Sequence, residues 1–290
     1  MAQSNYNMAL SQNSKALLVF VVAALVSACA ALQPPETGGP GPSGPTYPVV
    51  FTADSQRKEG SVLALNRITH GNSPADQVEV YLQPVTATMK SLPTNLTTPL
   101  YLPKVGTKPE MTEEETREAL RRFVNDWRGL IGSDPLQLSL VERTDQSDRT
   151  KIARYEQRPF RYALRGDYGK LEIHFTADRR LLNLSSTCIP DVERLQAALA
   201  NVTPRVKLED AIKRVRENAV TYTDSAGSPQ TYQLSTGNEI SGGELVTYVL
   251  LSRSRPDSLE FHLAWEIGIS NAPFKAIYLD ALDNEIIAAR

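Results

Sequence analysis

An amphipathic helix followed by alternating strands is the pattern that most constrains this fold, and it occurs twice in the chain. In the first copy, Thr112 and Glu115 match a capping box, apolar residues recur at helical spacing over 120–131, and Gly132 supplies a stop. In the run 171–175, apolar residues occupy alternate positions, as a sheet with one buried face requires. The pattern predicts an α+β fold in which helices pack on antiparallel sheets.

The second copy begins after a short predicted helix at 192–199 and a break at Thr203 and Pro204. Apolar residues at helical spacing over 208–219 predict its main helix. Strands are predicted from apolar alternation between chain breaks; they cover 136–141, 153–157, 170–175 and 181–185 in the first copy, and 244–252, 260–269, 274–279 and 285–289 in the second.

Residues 49–109 are predicted to form a β-rich lead-in. Two apolar-alternating pieces, 61–68 and 78–85, flank a turn-forming segment at 70–74, and this arrangement predicts a β-hairpin. Repeated prolines favour an extended connection from there up to Pro109.

The N-terminal segment predicts export and a lipid anchor at Cys29. Lys15 precedes an apolar stretch, and small residues precede Cys29, as in an export signal. The segment 26–29 resembles the lipobox of bacterial lipoproteins, which implies that the Cys29 thiol is acylated, for example with palmitate, and becomes the new N-terminus. An uncleaved anchor and a plain cleaved signal stay open, although a membrane span needs about 20 residues and the apolar run 16–32 is shorter.

These predictions divide the chain into five parts. A lipoprotein signal peptide at 1–28 precedes a tether at 29–48, which is rich in proline and glycine and cannot form a core. The lead-in at 49–109 and two helix-plus-sheet modules at 110–190 and 191–290 complete the body. We expect this body to be lipid-anchored to a membrane of the bacterial cell envelope, the outer one if the cell has two, and to face the periplasm or the exterior.

The second module resembles a PepSY domain. The resemblance rests on LEDA at 208–211, LAWEI at 263–267, AIYLDA at 276–281 and NEII at 284–287. In this chain, residues 282–284 occupy the turn where that family usually has threonine and glycine. Asn284 tolerates the positive φ that glycine would otherwise provide there.

The first module is similar to the fungalysin/thermolysin propeptide (FTP) motif, through RYEQ at 154–157, the turn 166–169, LEIHFTAD at 171–178 and LNLS at 182–185. It departs from that motif where Arg158-Pro159-Phe160 replaces a short hairpin. The two motifs follow the order found in prosegments of thermolysin-like and fungalysin-like metallopeptidases. The resemblance implies a body that inhibits a zinc peptidase or assists its folding, and the sequence shows no peptidase domain after it.

No catalytic residue, metal ligand or cofactor site is predicted. A zinc peptidase needs two histidines one helical turn apart with a glutamate between them, whereas His70, His174 and His262 lie far apart. His262 and Glu266 are four residues apart in a predicted strand, which separates them by roughly 13 Å. Both are therefore expected on the outer face of a sheet. Cys188 has no histidine nearby in sequence and is expected to be a half-buried structural thiol, with a disulfide to a partner and a nucleophile as the open alternatives.

The remaining features are weakly informative. The formal net charge is −2 with both signs well mixed, so nucleic-acid binding is not expected. The string 165–167 (Arg-Gly-Asp) matches an integrin-binding motif, which we attribute to chance at a hairpin turn. Trp127 and Trp265 are predicted on inward faces, where they would pack in the core.

The function expected from these features is that of a non-catalytic, membrane-anchored lipoprotein that binds an exported partner protein. The most natural partner is a metallopeptidase, for which the chain would be an inhibitor or a folding aid. In one variant the C-terminal segment 286–290 enters the peptidase cleft, whereas the simpler expectation is that it completes the last strand. An envelope scaffold of unknown partner is the alternative, and an unrecognised enzyme is the third hypothesis.

Overall fold

Two antiparallel sheets with helices packed against them make up the fold, so the α+β prediction is confirmed. The structure is a computed structural model. It describes residues 47–69, 75–94, 96, 98–108, 110–145, 150–158, 160–235 and 237–290, all of which belong to one compact unit, Pro45–Arg290. The boundary between the two predicted modules stays a prediction.

The helices and strands are numbered in chain order. The helices are α1 (Ser55–Thr69), α2 (Ala75–Glu79), α3 (Glu113–Asp126), α4 (Arg128–Ile131), α5 (Val192–Ala200) and α6 (Leu208–Glu217). The strands are β1 (Val49–Thr52), β2 (Leu138–Asp145), β3 (Thr150–Gln157), β4 (Leu164–Gly166), β5 (Lys170–Thr176), β6 (Leu181–Ser186), β7 (Val220–Thr223), β8 (Pro229–Tyr232), β9 (Glu239–Leu251), β10 (Ser258–Ser270), β11 (Ala276–Asp280) and β12 (Ile286–Ala289).

The first sheet has the strand order β2-β3-β5-β6 and packs on α3 and α4. Helix α3 begins as predicted, because Thr112 accepts a hydrogen bond from the Glu115 N–H while the Glu115 carboxylate accepts from the Thr112 N–H. Its buried side chains, Phe123 among them, contact Phe175 and other residues of β5 in one apolar cluster. Gly132 ends α4 in the left-handed conformation, also as predicted.

The predicted hairpin in the lead-in is wrong. Residues 61–68 lie in α1, and residues 78–85 lie partly in the short helix α2 and partly in turns. Asp54 accepts hydrogen bonds from backbone N–H groups of the first turn of α1, and Val62 and Leu65 contact the core of the first sheet. The apolar run around Val62 is nearly continuous, so it fits helical spacing as well as alternation, and packing against the core favours the helix.

The second sheet has six strands in the order β12-β11-β10-β9-β4, with β1 paired to β10 as well. Helices α5 and α6 pack on one side of it through side chains such as Phe261 and Leu279. Strands β1 and β11 both pair with the edge of β10 opposite β9, β1 along its first residues and β11 farther on. Strands β7 and β8 form a separate two-stranded sheet.

Contacts in the described part of the chain link the first sheet to the second sheet and to the segment before α5. Strand β4, which follows the first sheet's β3 in the chain, pairs in parallel with β9 of the second sheet. The buried side-chain amide of Gln157, at the end of β3, donates to the Ile189 carbonyl at 3.0 Å and accepts from the Ile189 N–H at 2.9 Å. This amide therefore supplies to Ile189 the two hydrogen bonds that a neighbouring strand would supply.

Candidate functional site

Ionisable side chains collect on the side of the second sheet opposite α5 and α6, which we call the distal face. Tyr248 pairs with His262, and Tyr278 pairs with Glu266, so these four side chains point to the same side. Glu244, Glu260 and Asp280 share this side by the same alternation. The apolar cluster of this face consists of strand residues only among those described.

Asp280 is the centre of the first group on the distal face. Its Oδ2 atom accepts from the Tyr47 hydroxyl at 2.7 Å and lies 2.7 Å from Nδ1 of His262, and its Oδ1 atom accepts from the N–H groups of Leu282 and Asp283. Burial by itself raises the pKa of Asp280, but these hydrogen bonds outweigh it and hold the pKa below its usual value. Burial and the Asp280 charge both raise the pKa of Tyr47.

His262 stands between two carboxylates. Besides the contact to Asp280, its Nε2 atom lies 3.6 Å from Oε2 of Glu260 and has no hydrogen-bond partner among the described residues. The other Glu260 oxygen accepts from the Ser252 hydroxyl at 2.6 Å. An imidazole oriented by a carboxylate provides two of the three members of a hydrolytic triad, but no hydroxyl or thiol of the described residues is hydrogen-bonded to Nε2.

Tyr47 fills a gap in the pairing of β10. Strand β1 pairs with Ser258–Phe261 and β11 pairs from Ala264 onward, which leaves the backbone N–H of Leu263 between them. The Tyr47 hydroxyl accepts from this N–H at 3.1 Å. One hydroxyl thus connects the segment preceding β1 to both β10 and β11.

A second group of charges lies farther along the distal face. Arg165 of β4 donates to Glu266 at 2.8 Å and to Glu244 at 3.0 Å, and the Tyr278 hydroxyl donates to Glu266 at 2.7 Å. Burial and the Glu266 carboxylate raise the pKa of Tyr278. The Glu266 carboxylate is therefore held on both of its oxygens within the sheet, whereas the Glu244 side chain is largely exposed to solvent.

The distal face is concave, because an ion pair joins opposite edges of the sheet. Arg290, directly after β12, makes a two-pronged contact with Asp167, directly after β4, with one N–O distance of 2.8 Å. In a flat sheet these edge strands, four spacings apart, would be roughly 19 Å from each other. The sheet must curl for one arginine to reach the aspartate. The contact lowers the pKa of Asp167 and raises that of Arg290.

The first sheet presents a different surface, the outer edge of β2. This strand is last in its sheet, and no described strand pairs with its outer side. Arg158 donates to the Gln137 carbonyl, so by antiparallel alternation the backbone groups of Leu138 and Leu140 point away from β3. The Leu138 N–H donates to the Pro135 carbonyl of the preceding turn. Apolar side chains are exposed beside this edge: Leu136 at 95%, Val141 at 43% and Leu140 at 37%. We call this surface the β2 edge.

The structure separates the residues that the sequence singled out. Cys29 and His70 lie outside the described residues. Cys188 is fully buried, and burial raises the pKa of its thiol to about 12, so the thiolate is disfavoured. Among the described residues, His174 is hydrogen-bonded to Glu172, and it lies on β5 of the first sheet whereas His262 lies on β10 of the second. Within the part of the chain that the structure describes, no three His, Cys, Asp or Glu side chains form a group able to hold a metal ion.

Two further predictions are settled by geometry. The string 165–167 is not a hairpin turn but the end of β4 and the residue after it, and both of its charged side chains are ion-paired within the chain. The C-terminal segment 286–290 completes the sheet as β12, with the Arg290 N–H donating to the Ala276 carbonyl. It is therefore bound in the fold and not presented as a free tail.

The sequence reasoning missed Tyr47, Asp280 and Arg165 as members of one site. A signal was present, because polar residues occupy every even position but one of 260–266 on β10 and fall in phase with those of β11. Alternation alone gave the face of each strand but not its neighbours in the sheet.

No protein-family model matches the chain, and no curated protein matches it. The resemblance of the two modules to the FTP motif and the PepSY domain thus stays a prediction. In the described part of the chain, no helix has both the length and the apolar character needed to cross a membrane.

Proposed function

We propose that this protein is a lipid-anchored protein of the bacterial envelope that binds an exported partner protein and has no catalytic activity of its own. The first candidate partner is a metallopeptidase, for which the chain is an inhibitor or a folding aid. Acylation of Cys29 supplies the anchor, and the proline-rich tether holds the body away from the membrane. The observation that supports partner binding best is the β2 edge.

The β2 edge has the two features of a surface that binds another chain by strand addition. The Leu138 N–H donates to the Pro135 carbonyl, so the Leu138 carbonyl and the N–H and C=O of Leu140 are the groups left to pair with an extended segment. The apolar side chain of Leu136 lies beside them almost fully exposed. Exposed apolar edges favour association, which is why soluble proteins usually cover them. A bulge between Leu140 and Glu142 restricts an added strand to the first half of β2.

The binding proposal is tested with the full chain, extracted from its own membranes in mild detergent. We expect it to inhibit or to promote folding of an exported thermolysin-like peptidase of the same cell, and we expect Leu136→Lys combined with Leu140→Lys to weaken the complex at least tenfold. Leu63→Lys, a change at a leucine that is 58% exposed on α1, is the matched control and leaves binding intact. Equal binding by both variants would exclude the β2 edge, and binding only to envelope assembly proteins would favour the scaffold alternative.

The anchor is tested separately by metabolic labelling with palmitate. We expect label in the wild-type chain and none in a Cys29→Ser variant, which should also leave the membrane fraction. A labelled Cys29→Ser chain, or an unlabelled wild-type chain, would contradict lipidation at Cys29.

A further inference from the structure

Besides the β2 edge, the fold has another unpaired strand edge, that of β1, and it borders a cleft. Strand β1 pairs with β10 on one side only, and no described strand pairs with its other side. Ala53 donates to the Asp257 carbonyl at 2.8 Å, so alternation directs the backbone of Val49 and Phe51 toward β10. The N–H and C=O groups of Val50 and Thr52 consequently point away from the sheet.

The spacing of these outward groups matches a peptide backbone. Two residues of a strand advance by roughly 6.6 Å, which is the repeat at which an extended chain offers its own N–H and C=O groups to one side. A small anion or a sugar does not reproduce this repeat, whereas any extended segment does. The edge of β1 therefore favours an extended segment as its ligand.

The cleft at this edge has a volume of about 550 Å³ and lies between the segment 47–50, helix α5 and the β9–β10 turn. That volume is in the range of about 300–1,000 Å³ that binding sites occupy. Pro48 and Val50 line one wall, and Leu195 and Ala198 of α5 supply apolar surface. A side chain of an added strand would therefore contact a partly apolar surface of the cleft.

Two arginines give the cleft a positive charge. Arg194 of α5 and Arg255 of the β9–β10 turn both line it, and neither side chain makes an ion pair with another described residue. Glu260 also lines the cleft, but its carboxylate is bonded to the Ser252 hydroxyl and lies near His262. Guanidinium groups bind carboxylates in a two-pronged geometry, which makes an acidic segment the complementary ligand.

We propose that the free edge of β1 binds an extended, acidic segment of another exported protein, which adds to the second sheet as a strand beside β1. The Val50 and Thr52 backbone pairs with the segment, and Arg194 and Arg255 bind its carboxylates. This site is separate from the β2 edge. That its partner is an exported protein rests on the envelope location in the proposed function, whereas the recognition of an acidic segment does not.

The test uses the full chain and two fluorescent nine-residue peptides with blocked ends. Both alternate threonine and valine, with aspartate at the third and seventh positions in one and lysine there in the other. We expect the acidic peptide to bind at least tenfold more tightly than the basic one. In the double variant Arg194→Glu and Arg255→Glu this preference should reverse, whereas Arg214→Glu, at an exposed arginine on α6, should leave it unchanged.

Backbone pairing is tested by amide hydrogen exchange. On saturation with the acidic peptide, exchange of the outward amides of Val50 and Thr52 should slow at least tenfold, because these N–H groups gain hydrogen bonds to the peptide. A Val50→Pro variant, which loses one outward N–H at an edge where proline is tolerated, should bind both peptides more weakly.

Three results would overturn the proposal. They are equal affinity for the two peptides, a reversed-charge variant that behaves like Arg214→Glu, and binding that leaves Val50 exchange unchanged. The double variant Leu136→Lys and Leu140→Lys distinguishes the two sites, since it should not affect binding of the acidic peptide at β1. Failure at β1 with retained partner binding at β2 would refute this inference alone.

Discussion

Replacing Tyr47 with phenylalanine tests whether one hydroxyl holds the segment before β1 onto the second sheet. The ring would keep its edge contact with His262, at 5.8 Å between centroids, so packing changes little. The hydroxyl gives up a 2.7 Å bond to the Asp280 carboxylate and a 3.1 Å bond from the Leu263 N–H. A bond to a charged group contributes about 1.5–3 kcal/mol, and leaving a buried N–H unpaired costs about 1–3 kcal/mol. Because Tyr47 is only partly buried, water can replace part of these hydrogen bonds, and we expect the free energy of unfolding to fall by about 2–3 kcal/mol.

The assay is urea unfolding followed by tryptophan fluorescence, in which the midpoint falls while the slope stays constant. Tyr101→Phe is the control, because Tyr101 is 49% exposed and makes no hydrogen bond through its hydroxyl among the described residues. It should stay within about 0.5 kcal/mol of the wild type. Combining Tyr47→Phe with Asp280→Asn gives the coupling energy, which we expect to exceed about 1 kcal/mol. A loss below about 0.5 kcal/mol for Tyr47→Phe would show that the hydroxyl does not hold the segment.

Three further predictions concern stability. The pKa of Asp280 is lowered in the folded state, so the contribution of Asp280 to the free energy of unfolding is complete above the unfolded pKa of about 3.9 and disappears as pH falls through the folded pKa. An Asp280→Asn chain should therefore be less stable at neutral pH, and its acid-unfolding profile by circular dichroism should be flatter. Gln157→Met leaves the Ile189 N–H and C=O unpaired in the core and should cost about 2–4 kcal/mol in urea unfolding, and a neutral result would refute the bridging role. Gly166→Ala places a Cβ 2.3 Å from a carbonyl oxygen of β9 at a φ of 104°, so its melting temperature should fall well below that of Gly227→Ala, where φ is 81° but nothing lies within 4 Å.

Long amphipathic segments account for the elements that the sequence predicted correctly. Helix α3 has a capping box, a buried face and a glycine stop after α4, and each is a local feature that its own residues determine. Strands β5 and β10 alternate buried and half-buried residues along most of their length. Where the local pattern was ambiguous, as in the apolar run of α1, the long-range contacts of Leu65 determined the structure and the prediction failed.

Short elements were missed because periodicity needs length. Strands β1 and β4 have four and three residues, too few to show alternation, and each exists because of a partner far along the chain. The contacts of the distal face are equally non-local, since Tyr47 and Asp280 are 233 positions apart. No local sequence rule connects such residues, although the alternation of β10 and β11 indicated which side chains share a face.

The short strand β1 is held to the second sheet by four paired residues, so binding at its edge depends on how firmly it is docked. Ordering the six residues 47–52 costs about 1–2 kcal/mol each, or roughly 6–12 kcal/mol. Against this stand burial of Val49 and Phe51, at about 1.5–3 kcal/mol each, and the ladder hydrogen bonds of the Val49–Phe261 and Phe51–Leu259 pairs, at about 0.5–1.5 kcal/mol each. These favourable terms are of the same order as the cost, so the hydrogen bonds of the Tyr47 hydroxyl contribute substantially to keeping β1 docked. A segment that binds the cleft can bind only to the docked form, and it must therefore stabilise that form by mass action. Tyr47→Phe should accordingly weaken binding of the acidic peptide although Tyr47 supplies none of the charges that recognise it.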